Sequence, residues 1–182
     1  MPAFNLTYSD TITDEPTSFN QLQSAYRPHH STETALLLSL NNIYEAADNS
    51  QPTLLVSLDL SAAFDTIDHS LLLSRLHTSF GISGTALSWL TSYLSSRSQL
   101  VRIGQSSSPS ALLDSGVPQG SVLGTILFSV YISPIGAIFS AFGLQHQQYA
   151  DDTQLYIALS AVNPVPAIST LESCLTSLHS WF

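Results

Sequence analysis

The sequence contains no lysine. Its basic side chains, histidine aside, are Arg27, Arg75, Arg97 and Arg102, against thirteen acids, for a formal charge of −9. Nucleic-acid binding rests on Lys and Arg neutralising phosphates, so this balance opposes association with a polyanion. Charged residues amount to 9%, against roughly 25% in ordinary globular chains. Cys174 is the single cysteine, which excludes an intramolecular disulfide and a cysteine-based zinc site. The six histidines show no i, i+4 ligand spacing. No basic stretch followed by an apolar run opens the chain, so it does not read as a secretory signal, and an intracellular location is expected.

What is present suits one folded domain. The chain has 182 residues and 44% apolar content, enough to bury a core. Residues 1–20, polar and carrying Asp10, Asp14 and Glu15, are expected to be a poorly ordered tail, and residues 21–182 the domain. "SVLGTILFSVYISPIGAIFSAFGL" (121–144) is long enough to cross a bilayer. Pro134, several glycines and serines, and flanks without Lys or Arg argue against that, so no membrane partner is expected.

Periodicity gives the elements. A helix opens after Ser31 through "TETALLLSLNNIYEAA", with a simple Ser or Thr N-cap fitting better than a capping box. "TLLVSLDL" (53–60) reads as a central strand buried on both faces. Helices are expected near 70–78 and 85–94, a strand at "QLVRIG" (99–104), a strand entering a Gly- and Pro-punctuated loop at "ALLDSGVPQGS", and a helix from Val122 to Phe139 that Pro134 kinks or ends. "HQQYADDTQLYIAL" supplies two strands around a tight turn. The last helix places Ile168, Leu171, Leu175 and Leu178 on one face.

Asp151 and Asp152 stand at the tip of that expected hairpin. Composition alone predicts about half an adjacent Asp pair in such a chain, so the dipeptide carries little by itself. Asp59 ends an apolar strand, where an ionised carboxylate is costly unless a cation or water compensates it. Two strand ends bearing such oxygens can hold Mg²⁺, and two ions about 4 Å apart can serve a phosphoryl transfer. The plainer reading also stands: Asp caps helices, and Asp-Asp is ordinary turn chemistry.

"LLVSLDLSAAFDTIDH", "SGVPQGSVLG" and "QYADDTQLY", in this order, resemble motifs A, B and C of reverse transcriptases. The similarity is to the enzymes of non-long-terminal-repeat (LINE-like) retrotransposons. "SAYRPHHSTETALL" resembles the block before motif A, and "GISGTALSWLTSYLSSRSQLVRIG" the stretch between A and B, so the likeness covers about residues 20–182. It implies an α/β (α+β) polymerase palm, an antiparallel sheet backed by helices. It implies RNA-directed DNA polymerase activity with two Mg²⁺ ions (or Mn²⁺), and an RNA template, a DNA primer and deoxynucleoside triphosphates as partners. Carried over by position, Asp59 and Asp151 would bind both metals, Asp152 would be the third carboxylate, and the Leu60 carbonyl would add an oxygen. Phe64 would be the steric gate under the sugar; by itself it is equally a core Phe. Gln119 and Gly120 would lie against nucleotide and template, although Pro118-Gln119-Gly120 is otherwise a turn. Tyr149 would pack beneath the primer end, and Arg27 would lie near the template; the bland readings are a strand aromatic and a solvated arginine. Asp65 and Asp68 suit a helix cap better than a metal. Thr125 stands where the family has Pro. Basic residues of the fingers, and the thumb, have no counterpart in this sequence, which leaves a second expectation open: a non-catalytic remnant or interaction module that retains the fold.

Overall fold

The computed structural model describes residues 19–182, so the expectation of a poorly ordered tail lies, for residues 1–18, outside the described residues. At Phe19 and Asn20 the chain is already packed: Phe19 is buried, and the Asn20 N–H donates to Ser133 Oγ at 2.7 Å. Along the chain run α1 (Thr32–Asp48), β1 (Thr53–Leu58), α2 (His69–Thr78), α3 (Gly84–Leu94), β2 (Arg97–Gln99), β3 (Arg102–Ile103), β4 (Ser106–Ser107) and β5 (Ala111–Leu113). They are followed by α4 (Val122–Ile132), α5 (Ile135–Ala141), β6 (Gln145–Tyr149), β7 (Asp152–Ala158) and α6 (Val165–Trp181). The result is a mixed α/β chain with antiparallel sheets, in two compact units: residues up to Ser61 together with Ile132–Phe182, and Ala62–Tyr131.

The first unit holds a three-stranded antiparallel sheet in the order β1-β7-β6. β7, not β1, is central, and β1 is a half-buried edge strand. The apolar run at 54–56 suggested burial on both faces, yet Leu55 remains 46% exposed, because only one side of β1 has a partner strand. α1 lies on one sheet face through the small residues Ala35, Ser39 and Ala46, which allow close approach. Ser39 Oγ meets both Tyr156 and Gln154 of β7. At the start of α1 the Thr34 N–H donates to Ser31 Oγ at 3.2 Å while the Ser31 N–H donates to Thr34 Oγ1 at 2.9 Å. The reciprocal box therefore forms after all, because Thr can take the N3 role usually filled by Glu or Gln. α6 buries Leu171, Cys174 and Leu178 and packs against α5; its stripe is centred on Cys174, with Ile168 turned outward.

β6 is unusual in composition. "QHQQY" is polar throughout, yet His146, Gln147 and Gln148 are buried. Buried polar groups need partners, and segment 20–24 provides them. Ser24 N–H donates to the Gln148 carbonyl at 2.9 Å and Gln148 N–H to the Leu22 carbonyl at 2.9 Å, so this segment runs parallel beside β6. Gln147 Nε2 donates to Ser24 Oγ at 2.8 Å, Gln148 Nε2 reaches Thr153 Oγ1 at 3.3 Å, and Asn20 bonds the Gln148 side chain.

The second unit packs α2 against α3, burying Leu72, Leu76, Leu90 and Leu94. Asp68 caps α2, its Oδ1 accepting from Leu71 N–H at 2.7 Å and from Ser70 Oγ, and these bonds hold its carboxyl below the usual range. The single strand expected at 99–104 is instead two short ones. β2 pairs β5 while β3 pairs β4, and the chain changes partner at Leu100-Val101, where Ser108 bonds both backbone groups of Val101. Val122–Ala141 is long and apolar enough to cross a membrane, but Pro134 divides it into α4 and α5, and more than half of its most apolar part is buried.

Candidate active site

In the first unit, Leu58 pairs with Thr153 as the last rung between β1 and β7. Asp59 therefore leaves β1 beside the point where Asp152 enters β7, although more than ninety residues separate them in sequence. Tyr149 pairs with Asp152, so the β6–β7 connection is the two-residue turn Ala150-Asp151. Tight hairpins of this length favour a positive φ at the first turn position, and Ala150 supplies it at φ 57. For a residue with a Cβ that conformation costs about 1–2 kcal/mol. Asp59 and Asp152 are exposed and Asp151 is half-buried.

Strand alternation puts Tyr149, Asp152, Gln154 and Tyr156 on the face that α1 covers. There a cleft of about 440 Å³ opens, with Asp152, Tyr149, Gln147 and Ser57 on the sheet side and Thr32 and Leu36 on the helix side. Behind the turn, fully buried Gln23 bonds both backbone groups of Ala150. Tyr26, at φ 60, has its hydroxyl pKa raised, first by partial burial and then by the Asp151 carboxylate and Tyr149. The sequence did not signal Gln23, which immediately precedes the block before motif A, nor Tyr26 beyond its place in that block. A glutamine carries no periodicity or charge signature, and its partner is a backbone 127 positions away.

Arg27 sits in the same segment. Its Nη1 donates to the carbonyls of Gln23 at 3.1 Å, Gln21 at 3.2 Å and Asn20 at 3.4 Å, and its guanidinium lies 5.2 Å from the Phe19 ring centroid. These contacts tie residues 19–27 into a compact loop. Hard oxygens make up the donor set of Asp59, Asp151, Asp152 and Leu60, the kind that suits Mg²⁺. Among the described residues, however, no three His, Cys, Asp or Glu side chains gather closely enough to hold a metal ion. The acids are neighbours by strand register, and their carboxylates do not converge as a preformed cage.

In the second unit, Phe64 is half-buried and stacks on Phe128 with ring centroids 4.7 Å apart. The loop after Phe64 and the loop ending at Gly120 are laced together. Gly116 N–H donates to the Ile67 carbonyl at 2.8 Å, Val117 N–H to the Phe64 carbonyl at 2.9 Å, and Gln119 Nε2 to Asp65 Oδ1 at 3.2 Å. Gly116, at φ 81, is the residue the crossing requires: a Cβ there would lie 3.0 Å from the Asp65 backbone. Gly120, at φ 75, faces open space. Asp65 thus serves as an acceptor for Gln119, while Asp68 is the cap.

Comparison with known proteins adds the context. Residues 3–182 match the family model described as reverse transcriptase (RNA-dependent DNA polymerase). The chain is 31% identical over 165 residues to a probable RNA-directed DNA polymerase from transposon BS of Drosophila melanogaster, covering 87% of this chain and 18% of that protein. It is 27% identical over 176 residues to the RNA-directed DNA polymerase from mobile element jockey of the same organism, covering 94% of this chain and 19% of the relative. The chain thus spans about a fifth of the length of the curated relatives it matches. With its three motifs in order and a match over nearly its whole length, the chain belongs to the reverse transcriptase family, of the LINE-like, non-long-terminal-repeat kind.

Proposed function

We propose that this chain is a palm-type portion of an RNA-directed DNA polymerase, with Asp59, Asp151 and Asp152 as its catalytic carboxylates. The observation that supports this best is the strand register that brings Asp59 beside Asp152 and its turn neighbour Asp151. In the reaction, a primer 3′-hydroxyl attacks the α-phosphorus of a deoxynucleoside triphosphate. A new P–O ester bond forms, the bond to pyrophosphate breaks, and the hydroxyl proton passes to solvent. Two Mg²⁺ ions, when bound, would stabilise the attacking and leaving oxygens. Asp59 and Asp151 would hold them, with Asp152 and the Leu60 carbonyl as further oxygens. Phe64 would test for a 2′-hydroxyl, Gln119 and Gly120 would lie against the nucleotide, Tyr149 would support the primer end, and Arg27 would order the loop near the template. RNA template and DNA primer are the corresponding partners. Primer extension with Mg²⁺ or Mn²⁺ in a longer chain, set against Asp151→Ala, tests the assignment; equal extension by both would refute it.

One observation favours a second reading, a remnant or interaction module that retains the fold without turnover. Two of the four arginines are drawn into the fold: Arg27, half-buried, on backbone carbonyls, and Arg75, buried, on the Tyr131 ring and carbonyl, which leaves Arg97 and Arg102 as the exposed ones. Little positive charge is then left to meet phosphates, against a net charge of −9.

A further inference from the structure

The turn that carries Asp151 is held from behind by one side chain. Gln23, fully buried, takes the Ala150 N–H on Oε1 at 2.9 Å and donates from Nε2 to the Ala150 carbonyl at 3.0 Å. Both polar groups of the left-handed residue are therefore bound by a single amide. The Ala25 N–H, 3.0 Å from the same Oε1, fixes which end of the amide faces which way: the oxygen meets two N–H groups, and the nitrogen must meet the carbonyl. Gln23 is itself anchored on either side, because Leu22 and Ser24 make the backbone bonds to Gln148.

We infer that Gln23 is a positioning residue for the catalytic turn. By gripping Ala150 it holds the φ of 57 that sets the direction in which Asp151 leaves the turn. The requirement is chemical and narrow. The site needs an acceptor for two N–H groups and a donor for one carbonyl, at the reach of a glutamine. Glutamate keeps the acceptor and loses the donor; methionine keeps the volume and loses both; asparagine is one methylene short. The inference rests on the reading of Asp151 as a metal ligand only for its functional consequence, since the grip on Ala150 is independent of it.

The test uses the 182-residue chain with Mn²⁺ alone as probe, followed by electron paramagnetic resonance, and amide exchange at Ala150 followed by NMR. Gln23→Met is expected to weaken Mn²⁺ binding about tenfold, the usual size of an effect relayed through a residue supporting a metal ligand. Exchange at Ala150 should rise by about tenfold or more while the amides joining β1 to β7 stay protected, which a general loss of packing would not produce. Adding Ala150→Gly to Gln23→Met should restore much of the Mn²⁺ affinity, because glycine adopts positive φ without the clamp. If Gln23→Met does not fold, Gln23→Glu, which keeps the shape and the acceptor, is read in the same way. Unchanged Ala150 exchange, or deprotection spread evenly over the sheet, overturns the inference. Asp151→Asn separates the two claims: if it leaves Mn²⁺ affinity intact, the metal reading fails, while Ala150 exchange still decides the clamp.

Discussion

Acid should destabilise this chain through one imidazole. His146 is 3% exposed, and burial lowers its pKa from 6.5 to about 4, partly opposed by a bond to the Leu144 backbone. Apart from that backbone bond, its neighbours are an aromatic ring and a neutral amide. The Phe139 ring centroid lies 5.0 Å away, and Asn20 presents Nδ2 at 3.2 Å from Nε2. The Asn20 amide is oriented by its other bonds, with Oδ1 accepting from Leu22 N–H at 3.0 Å and Nδ2 donating to Gln148 Oε1. Asn20 Oδ1 lies farther from Nε2, at 3.4 Å, so the nearer group is a donor, which favours the neutral ring as burial does. The folded pKa is the lower one, so the unfolded chain binds more protons between pH 6.5 and 4. Stability is complete above about 6.5 and falls as the pH drops through that window. A fall from 6.5 to about 4 corresponds to about 3 kcal/mol in all, of which about 2.5 kcal/mol should be gone by pH 4.5. That is a large share of the 5–15 kcal/mol typical of a domain. Urea unfolding, followed by the fluorescence of Trp181, would be measured from pH 7.5 to 4.5 for the native chain and for His146→Gln. The variant has no titrating ring and keeps an oxygen for Asn20, so the difference between the two pH profiles isolates the imidazole from the carboxylates. Parallel profiles would refute the reasoning.

Three further outcomes are expected. Gly124→Ala should destabilise by about 1–3 kcal/mol despite the better helix propensity of alanine, since the new Cβ would lie 2.5 Å from the Pro118 carbonyl; a higher Tm would contradict this. In a longer chain that extends primers, Phe64→Val should raise ribonucleotide incorporation relative to deoxyribonucleotide; unchanged discrimination with a lower Tm would assign the ring to its stack on Phe128 alone. The 182-residue chain by itself should bind primer-template weakly and fail to extend it, because four arginines face thirteen acids. Extension by the native chain that Asp151→Ala lacks would overturn that expectation.

The helices and the hairpin were legible because their signals are local. Ser31 and Asp68 mark helix starts, Pro134 marks a break, and "QYADDTQLY" marks a turn between strands. The position of β1 in its sheet was not legible, since an apolar run looks the same at an edge as at the centre until its neighbours are known. The split of 99–104 into two strands depends on which partners β4 and β5 offer. Of the candidate site, the carboxylates were visible as motifs. Their support was not: Gln23, Asn20 and the buried polar face of β6 are meaningful only as pairs across more than a hundred residues.

That separation has a kinetic consequence. The β6–β7 hairpin can form locally, within microseconds. Its polar face and the left-handed turn are satisfied only when residues 20–24 arrive from the other end of the chain, closing a loop of more than 120 residues. Long-range closures of this kind are the slow events of folding. The turn bearing Asp151 should therefore be among the last parts of the first unit to acquire its native shape, and a folding intermediate can hold the complete hairpin while its acidic tip is still unset.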